Sequence, residues 1–137
     1  MPLQYLLDTN VISETMLPDP DPQVRARIVT AARSVAAAAT TWFELAKGLR
    51  LLPEGKRRRH IQTALENIKW LDILPYDGAA ATWHAEQHAS LARIGKTPPF
   101  LDAQIAAVAA VNGLVLVTRN VRDFRYFEGL RVESWFS

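Results

Sequence analysis

Four acidic side chains stand at positions where a chain that alternates strands with helices would bring them together. Two of them come shortly after apolar runs that are typical of strands, and two lie in the first turns of predicted helices; they are Asp8, Asp123, Glu44 and Asp102. The carboxyl ends of parallel strands meet at one edge of a sheet, and the helices that leave those strands begin at the same edge. The sequence therefore predicts four carboxylates around one crevice.

A cluster of four carboxylates needs a cation. Two carboxylates about 5 Å apart repel each other by about 3 kcal/mol at an effective dielectric constant of 20. Four together are therefore unstable unless they are protonated or bind positive charge. Because the chain has no cysteine and offers oxygen ligands, the cluster favours Mg²⁺ or Mn²⁺. Such a metal polarises a phosphoryl oxygen and generates a hydroxide nucleophile, which predicts hydrolysis of phosphodiesters.

Each acid also has a purely structural explanation. Asp8 begins an Asp-Thr-Asn tripeptide, which suits a turn or a helix N-cap. Thr41 and Glu44 match the spacing of a capping box. The macrodipole favours an acid at Asp102 by about 0.3–1 kcal/mol, and the fourth acid would serve as a turn residue. The functional hypothesis therefore depends on the four acids together rather than on any one of them.

The net charge of +2 conceals an uneven predicted distribution of charge. If four carboxylates occupy one site, 16 basic residues face 10 acidic ones elsewhere, which leaves +6. An acidic pocket within a basic surface suits a polyanionic substrate. Arg119 and Arg122, beside the fourth acid, are the predicted contacts to that substrate. The basic run of residues 56–59 weakly favours an anionic partner, although a solvated helix start explains it as well.

Composition and hydropathy predict one domain over residues 1–137. No signal peptide is evident, and no apolar run approaches the roughly 18 residues of a membrane span. The absence of cysteine is compatible with a reducing compartment. We therefore expect a cytoplasmic protein that does not enter a membrane.

Apolar periodicity predicts an α/β fold with a mainly parallel central sheet flanked by helices. Strands are predicted over residues 5–7, 34–40, 70–74, 114–118 and 132–136. Helices are predicted over residues 23–33, 41–52, 56–67, 79–94 and 100–112, with a loop over 119–127 that has room for a helical turn. His84 and His88 lie four apart on one helix face but lack the glutamate of the zincin pattern, so we predict surface histidines.

The motifs around the four acids resemble those of a known family. They occupy residues 6–14, 41–45, 102–107 and 116–124, in the family's order and approximate spacing. They are similar to the PIN-domain family and, more narrowly, to VapC-type toxin ribonucleases of bacterial toxin–antitoxin pairs. The resemblance implies a Mg²⁺-dependent endoribonuclease that cleaves RNA with metal-activated water. It also implies a homodimer that is neutralised by a small cognate antitoxin.

The resemblance further implies roles for single residues. Asp8 and Asp102 fall where the family places its firmest metal ligands. Glu44 falls on the glutamate that supports the metal or its water.

The fourth acid and the supporting hydroxyl groups are the remaining implied site residues. Asp123, or Asn120 beside it, falls in the fourth-acid region; many relatives carry aspartate where this chain has Asn120. The fourth ligand therefore stays open between these two positions. Thr118 and Ser13 would orient carboxylates through their hydroxyl groups.

Two other functions remain open from the sequence. An aspartyl-phosphate phosphatase also places a nucleophilic aspartate after its first strand. The motif of that class is similar to Asp-x-Asp, however, and this chain has Asn10 in place of the second aspartate. A catalytically weak domain that binds RNA or a partner protein is the second alternative. This alternative stays open because Asn120 stands where many relatives carry an aspartate.

Overall fold

The computed structural model describes residues 2–137, in which five strands and seven helices alternate along the chain. The strands are β1 (Tyr5–Leu7), β2 (Val35–Ala38), β3 (Asp72–Leu74), β4 (Val115–Val117) and β5 (Val132–Glu133). The helices are α1 (Thr9–Thr15), α2 (Pro22–Ala31), α3 (Ala39–Leu51), α4 (Lys56–Asn67), α5 (Gly78–Ala92), α6 (Phe100–Val111) and α7 (Val121–Phe124). None of these helices has both the length and the apolar character that a bilayer crossing requires.

The sheet has the order β3-β2-β1-β4-β5, and every pair of neighbours is parallel. The chain first builds outward from β1 through β2 to β3, and then crosses back to place β4 on the other side of β1. The boundary between β1 and β4 is therefore the topological switch point, where a crevice opens beyond the strand ends. The backbone N–H of Asp8 donates to the Val117 carbonyl there, at 2.8 Å.

Side chains of the central strands alternate between two hydrophobic cores, as the period of two in a strand requires. Leu6 and Leu116 face the core that α5 and α6 cover. Leu7 and Val117 face the opposite core, to which α1, α2, α3 and α4 contribute. Both faces of the sheet are thus covered, which parallel sheets require.

Small side chains allow α6 to lie close to the sheet. The residues of β2 are all buried, and three of the four are alanine. Residues 105–109 of α6, mostly alanine, are fully buried against them. Because α6 packs so tightly, its first turn is held at the carboxyl edge of the sheet, where Asp102 lies.

The predicted α/β fold with a parallel central sheet is confirmed, including the buried strand in the alanine-rich segment. Two local predictions differ. Helix α1 is missing from the predicted elements, because only Val11 and Ile12 supply buried apolar side chains in its seven residues. The last strand is only β5, since the chain beyond it turns Trp135 into the second core. The helical turn expected within the loop over 119–127 is the four-residue helix α7.

The prediction of surface histidines is wrong for His84 and right for His88, which is exposed. His84 is buried, and its Nδ1 lies 2.7 Å from the Tyr76 hydroxyl. Its ring also packs 5.2 Å from that of Phe100. His84 therefore forms part of the contact between α5 and α6.

Candidate active site

Asp8 lies at the switch point, between the end of β1 and the start of α1. Its side chain is 5% exposed and accepts three hydrogen bonds. The donors are the Thr9 backbone N–H at 2.8 Å, the Thr118 hydroxyl at 2.8 Å and the Asn10 side-chain amide at 3.2 Å. Asp8 is the N-cap of α1, as its sequence predicted. These contacts fix the orientation of the carboxylate.

Opposing influences act on the ionisation of Asp8. Burial raises the pKa of its carboxyl above the ordinary value, and the charge of Glu44 raises it further. Hydrogen bonds from Thr118, Thr9 and Asn10 favour the charged form but do not cancel the effect of burial, so the pKa stays raised. A buried carboxylate of this kind is stabilised by a nearby cation.

The capping-box interpretation of Glu44 is wrong. Helix α3 begins at Ala39 directly after β2, its N-cap is Ala38, and no side chain caps it. Thr41 is a fully buried residue inside the helix, and Glu44 therefore lies in the second turn. The Glu44 carboxylate instead accepts a 2.6 Å hydrogen bond from the Thr9 hydroxyl, which turns it toward the switch point.

Asp102 lies in the first turn of α6, as predicted. The pKa of its carboxyl is raised to about 6, first by burial and then by the charges of Asp8, Glu44 and Asp123. Every influence acting on this group raises its pKa. The structure therefore brings the four sequence-predicted acids within electrostatic reach of one another.

Asp123 and Asn120 lie at the outer rim of this group, and both are exposed. Asn120 is the N-cap of α7 but makes no side-chain cap hydrogen bond. Its backbone N–H donates to the Thr118 hydroxyl at 3.1 Å. Asp123 lies close enough to raise the pKa of Asp102 by its charge.

The four acids approach one another without forming a complete cage. Within residues 2–137, no three acidic, histidine or cysteine side chains lie close enough to hold a metal ion by themselves. Mg²⁺ usually keeps several waters and takes only one or two protein carboxylates. The oxygen-only ligands and the raised pKa values of Asp8 and Asp102 therefore fit a hydrated divalent cation.

The hydroxyl groups around the site differ in part from those predicted. Thr118 contacts Asp8 as predicted, whereas Ser13 lines a cavity beside Glu44 without a hydrogen bond to a carboxylate. Thr9 and Asn10, which sequence reasoning missed, bond to Glu44 and Asp8. Their place in the sequence could have indicated this role, since both are polar residues directly after Asp8.

The predicted RNA contacts Arg119 and Arg122 are in different situations. The Arg119 guanidinium donates to Glu14 at 2.9 Å and lies 4.1 Å from the centre of the Phe136 ring. Its backbone N–H also donates to Asn10, at 3.0 Å. Arg122 is exposed. Arg119 is thus tied to the scaffold of the site, through a buried glutamate that the sequence did not single out.

The basic start of α4 lies near one of the acids, Glu44. Arg57 lines the same cavity of about 280 Å³ as Glu44 and Ser13. The basic run therefore contributes at least one cation close to the site.

A comparison with known families identifies this arrangement. The PIN domain profile matches residues 5–130. The chain belongs to the PIN-domain family. Its PIN domain is 34% identical over 135 residues to the tRNA(fMet)-specific endonuclease VapC of Shigella flexneri, with 97% of this chain and 98% of that protein covered.

Two further relatives support the same assignment. Toxin FitB of Neisseria gonorrhoeae is 36% identical over 124 residues, which cover 87% of this chain and 89% of that protein. A DNA-bound VapBC structure from Salmonella typhimurium superposes with a TM-score of 0.86 at 32% identity, over 97% of this chain and 98% of that one. The predicted VapC-type PIN fold is confirmed.

Proposed function

We propose that this PIN-domain chain is the endoribonuclease toxin of a toxin–antitoxin pair. The observation that carries the proposal is the group of four acids at the β1–β4 switch point, with the pKa of Asp102 raised to about 6 by burial and by its acidic neighbours. The support from similarity is that the Shigella relative is named an endonuclease specific for tRNA(fMet). The same chemistry, cleavage of an RNA phosphodiester, is the activity we assign here.

Asp8 and Asp102 would hold a Mg²⁺ or Mn²⁺ ion, with Glu44 and Asp123 supporting it or its water. When bound, the metal would polarise the phosphoryl oxygen and lower the pKa of a water nucleophile. Oxygen ligands of this number and kind suit either ion. Of Asp123 and Asn120, we assign the fourth position to Asp123, because only a carboxylate adds negative charge there.

The side chains of the site divide the work between them. Asp8 is held in one orientation by Thr9, Asn10 and Thr118, so a ligand geometry exists before the substrate arrives. Asp102, whose pKa of about 6 leaves it mainly ionised at pH 7, would supply a second charge to the metal. Glu44, fixed by Thr9, would orient the attacking water.

Partners and assembly follow from the family membership as proposals. The similar Salmonella structure is a VapBC complex, and we propose a small cognate antitoxin for this chain as well. We also propose that residues 1–137 act as one nuclease domain, that the protein is a homodimer, and that it works in the cytoplasm. Exposed Arg122 would contact the RNA backbone.

The deciding experiment measures cleavage of single-stranded and transfer RNA by the purified chain freed of any antitoxin. We expect cleavage with Mg²⁺ or Mn²⁺, and none with a chelator. Asp8→Asn should abolish it, whereas Asp19→Asn, a matched change at an exposed acid away from the site, should not. Equal cleavage by wild type and Asp8→Asn would disprove the assignment. No saturable Mg²⁺ binding by calorimetry would instead favour the non-catalytic alternative.

A further inference from the structure

A second cavity, of about 330 Å³, opens beside Asp123. It is lined by Leu91, Lys96, Thr97, Pro98, Pro99, Asp123, Tyr126 and Phe127. Its volume is at the lower end of the range for small-molecule sites, which suits one nucleotide better than an extended strand. Because Asp123 belongs to both sites, an occupant of this cavity would adjoin the carboxylates.

The walls of this cavity are mainly apolar and include proline and aromatic rings. Pro98 and Pro99 immediately precede α6, the helix that carries Asp102. Tyr126 and Phe127 follow α7; Phe127 is buried at 5% exposure, whereas Tyr126 is 43% exposed. Aromatic side chains are the usual platforms for unstacked bases of single-stranded nucleic acids.

Two cations meet at the Tyr126 side chain. The Lys96 ammonium lies 3.8 Å from the centre of its ring, and the Arg125 guanidinium lies 5.5 Å from it. Arg125 and then Lys96 lower the pKa of the Tyr126 hydroxyl. Neither cation takes part in the ion pairs formed within residues 2–137.

The charges of this cluster complement those of the catalytic site. Four carboxylates repel the phosphates of an approaching RNA, so attraction has to come from cations beside them. Arg119 is already engaged by Glu14, whereas the carboxylates within residues 2–137 form no ion pair with Lys96 or Arg125. The cavity thus offers an aromatic ring for a base and one cation, Lys96, on its wall, with Arg125 beside that ring.

We propose that this cavity is a subsite for one unstacked nucleotide of a single-stranded RNA, directly beside the bond that is cleaved. The base takes the place of the Lys96 ammonium against the Tyr126 ring and packs on the two prolines, and Lys96 and Arg125 then contact its phosphate. This inference rests on the proposed ribonuclease function, because it names a nucleotide of that substrate. It makes Tyr126 a residue that selects single-stranded over double-stranded RNA, since a paired base cannot enter.

Binding of a fluorescent single-stranded RNA in the presence of a chelator tests the subsite without cleavage. We expect Lys96→Glu and Arg125→Glu each to weaken binding at least about tenfold, and Lys69→Glu, the same charge change at an exposed site, to weaken it less than about twofold. The slope of log affinity against log salt should fall by about 0.7 for each cation neutralised by alanine. Equal effects of Lys96→Glu and Lys69→Glu would overturn the proposal.

A second measurement locates the nucleotide. Substrates with one abasic position at a time are cleaved by the wild type, Tyr126→Phe and Tyr126→Ala. We expect one position beside the cleaved bond to cost the wild type and Tyr126→Phe about 5- to 100-fold in kcat/KM. The same position should cost Tyr126→Ala almost nothing. If the abasic substitution and Tyr126→Ala lower kcat/KM independently, so that their effects multiply at every position, the proposal is overturned.

The two measurements separate failure of the subsite from failure of the proposed function. If wild-type protein binds RNA through Lys96 and Arg125 but never cleaves it, the cavity stands as an RNA-binding site and the ribonuclease assignment falls. If it cleaves RNA but all the variants behave like Lys69→Glu, the assignment stands and the subsite falls.

Discussion

Asp8 and Asp102 are both predicted metal ligands, but the protein treats them differently. Asp8 is buried and accepts hydrogen bonds from Thr9, Asn10 and Thr118. Asp102 is half-buried, and burial and neighbouring charges are the only influences on its pKa, all of them raising it. The fold therefore fixes the Asp8 carboxylate before a cation binds. The charge of the Asp102 carboxylate would be stabilised only once a cation is present.

This difference shows that two properties of a predicted metal site can lie on different residues. One is the fixed geometry of a ligand, and the other is the unrelieved negative charge that favours cation binding. Hydrogen bonds to Asp8 fix where a cation would bind, and they favour its charged form. The unassisted Asp102 contributes mutual repulsion, which a cation would relieve. Asp8 and its hydrogen-bond donors should therefore set the geometry of cation binding. Protonation of Asp102 should set how that binding varies with pH.

The largest expected effect is the loss of cleavage on removing the charge of Asp102. Asp102→Asn should lower the cleavage rate by about 10³-fold, since losing a ligand charge costs several kcal/mol of transition-state stabilisation. Single-turnover cleavage at saturating Mg²⁺ measures it. A decrease of less than tenfold would show that Asp8 alone holds the metal, and the comparison would fail.

The donors to Asp8 provide the next test. Thr118→Val removes the hydroxyl that donates to Asp8 at 2.8 Å and should lower Mg²⁺ affinity or cleavage by about 10- to 100-fold. Thr118→Ser retains the hydroxyl and is the matched control. If Val and Ser variants cleave equally well, the prepared geometry of Asp8 has no consequence for the chemistry.

The stability of the metal-free protein should depend on pH through Asp102. Its pKa is about 6 in the folded protein against 3.8 ordinarily, so between these values the folded state holds a proton that the unfolded chain has lost. Stability conferred by that proton is present below about pH 4 and is lost as pH rises toward 6. The slope should be shallower in Asp102→Asn.

The size of this effect is limited by the partial exposure of Asp102. We expect Asp102→Asn to raise the free energy of unfolding by about 1 kcal/mol at pH 7, or roughly 4 °C in Tm. Thermal melts with a chelator at pH 4 and 7 measure the difference. Asp123→Asn, at an exposed position, is the control and should change Tm less. An equal Tm gain at both pH values would contradict the assignment to Asp102.

The smallest expected effect distinguishes the two arginines beside the site. Arg119→Ala should lower stability by about 1 kcal/mol, because it leaves Glu14, 8% exposed, without its ion pair. Arg122→Ala should leave stability unchanged and weaken RNA binding. Chemical denaturation and RNA binding at two salt concentrations check this. Identical stabilities for both variants would show that Arg119 does not brace the Asp8 side of the site.

The sequence predicted the larger features well because they depend on local patterns. Apolar runs and helix periodicity located most strands and helices, and spacing placed Asp8 and Asp102 at one edge. The start of α3 was mispredicted because Thr41 and Glu44 fit a capping box while the alanines before them carry no boundary signal. The bonds from Thr9 to Glu44 and from Arg119 to Glu14 join residues 35 and 105 positions apart. No local pattern reports such contacts.

The pairing of β1 with β4 has a consequence for the synthesis of the protein. The hydrogen bond between Asp8 and Thr118 joins residues 110 positions apart, and β4 has to be made before it can form. At typical elongation rates, the interval between those two residues lasts about 6 to 22 s. The nascent chain thus carries the first acid for seconds before the strand that completes the acidic site has been made.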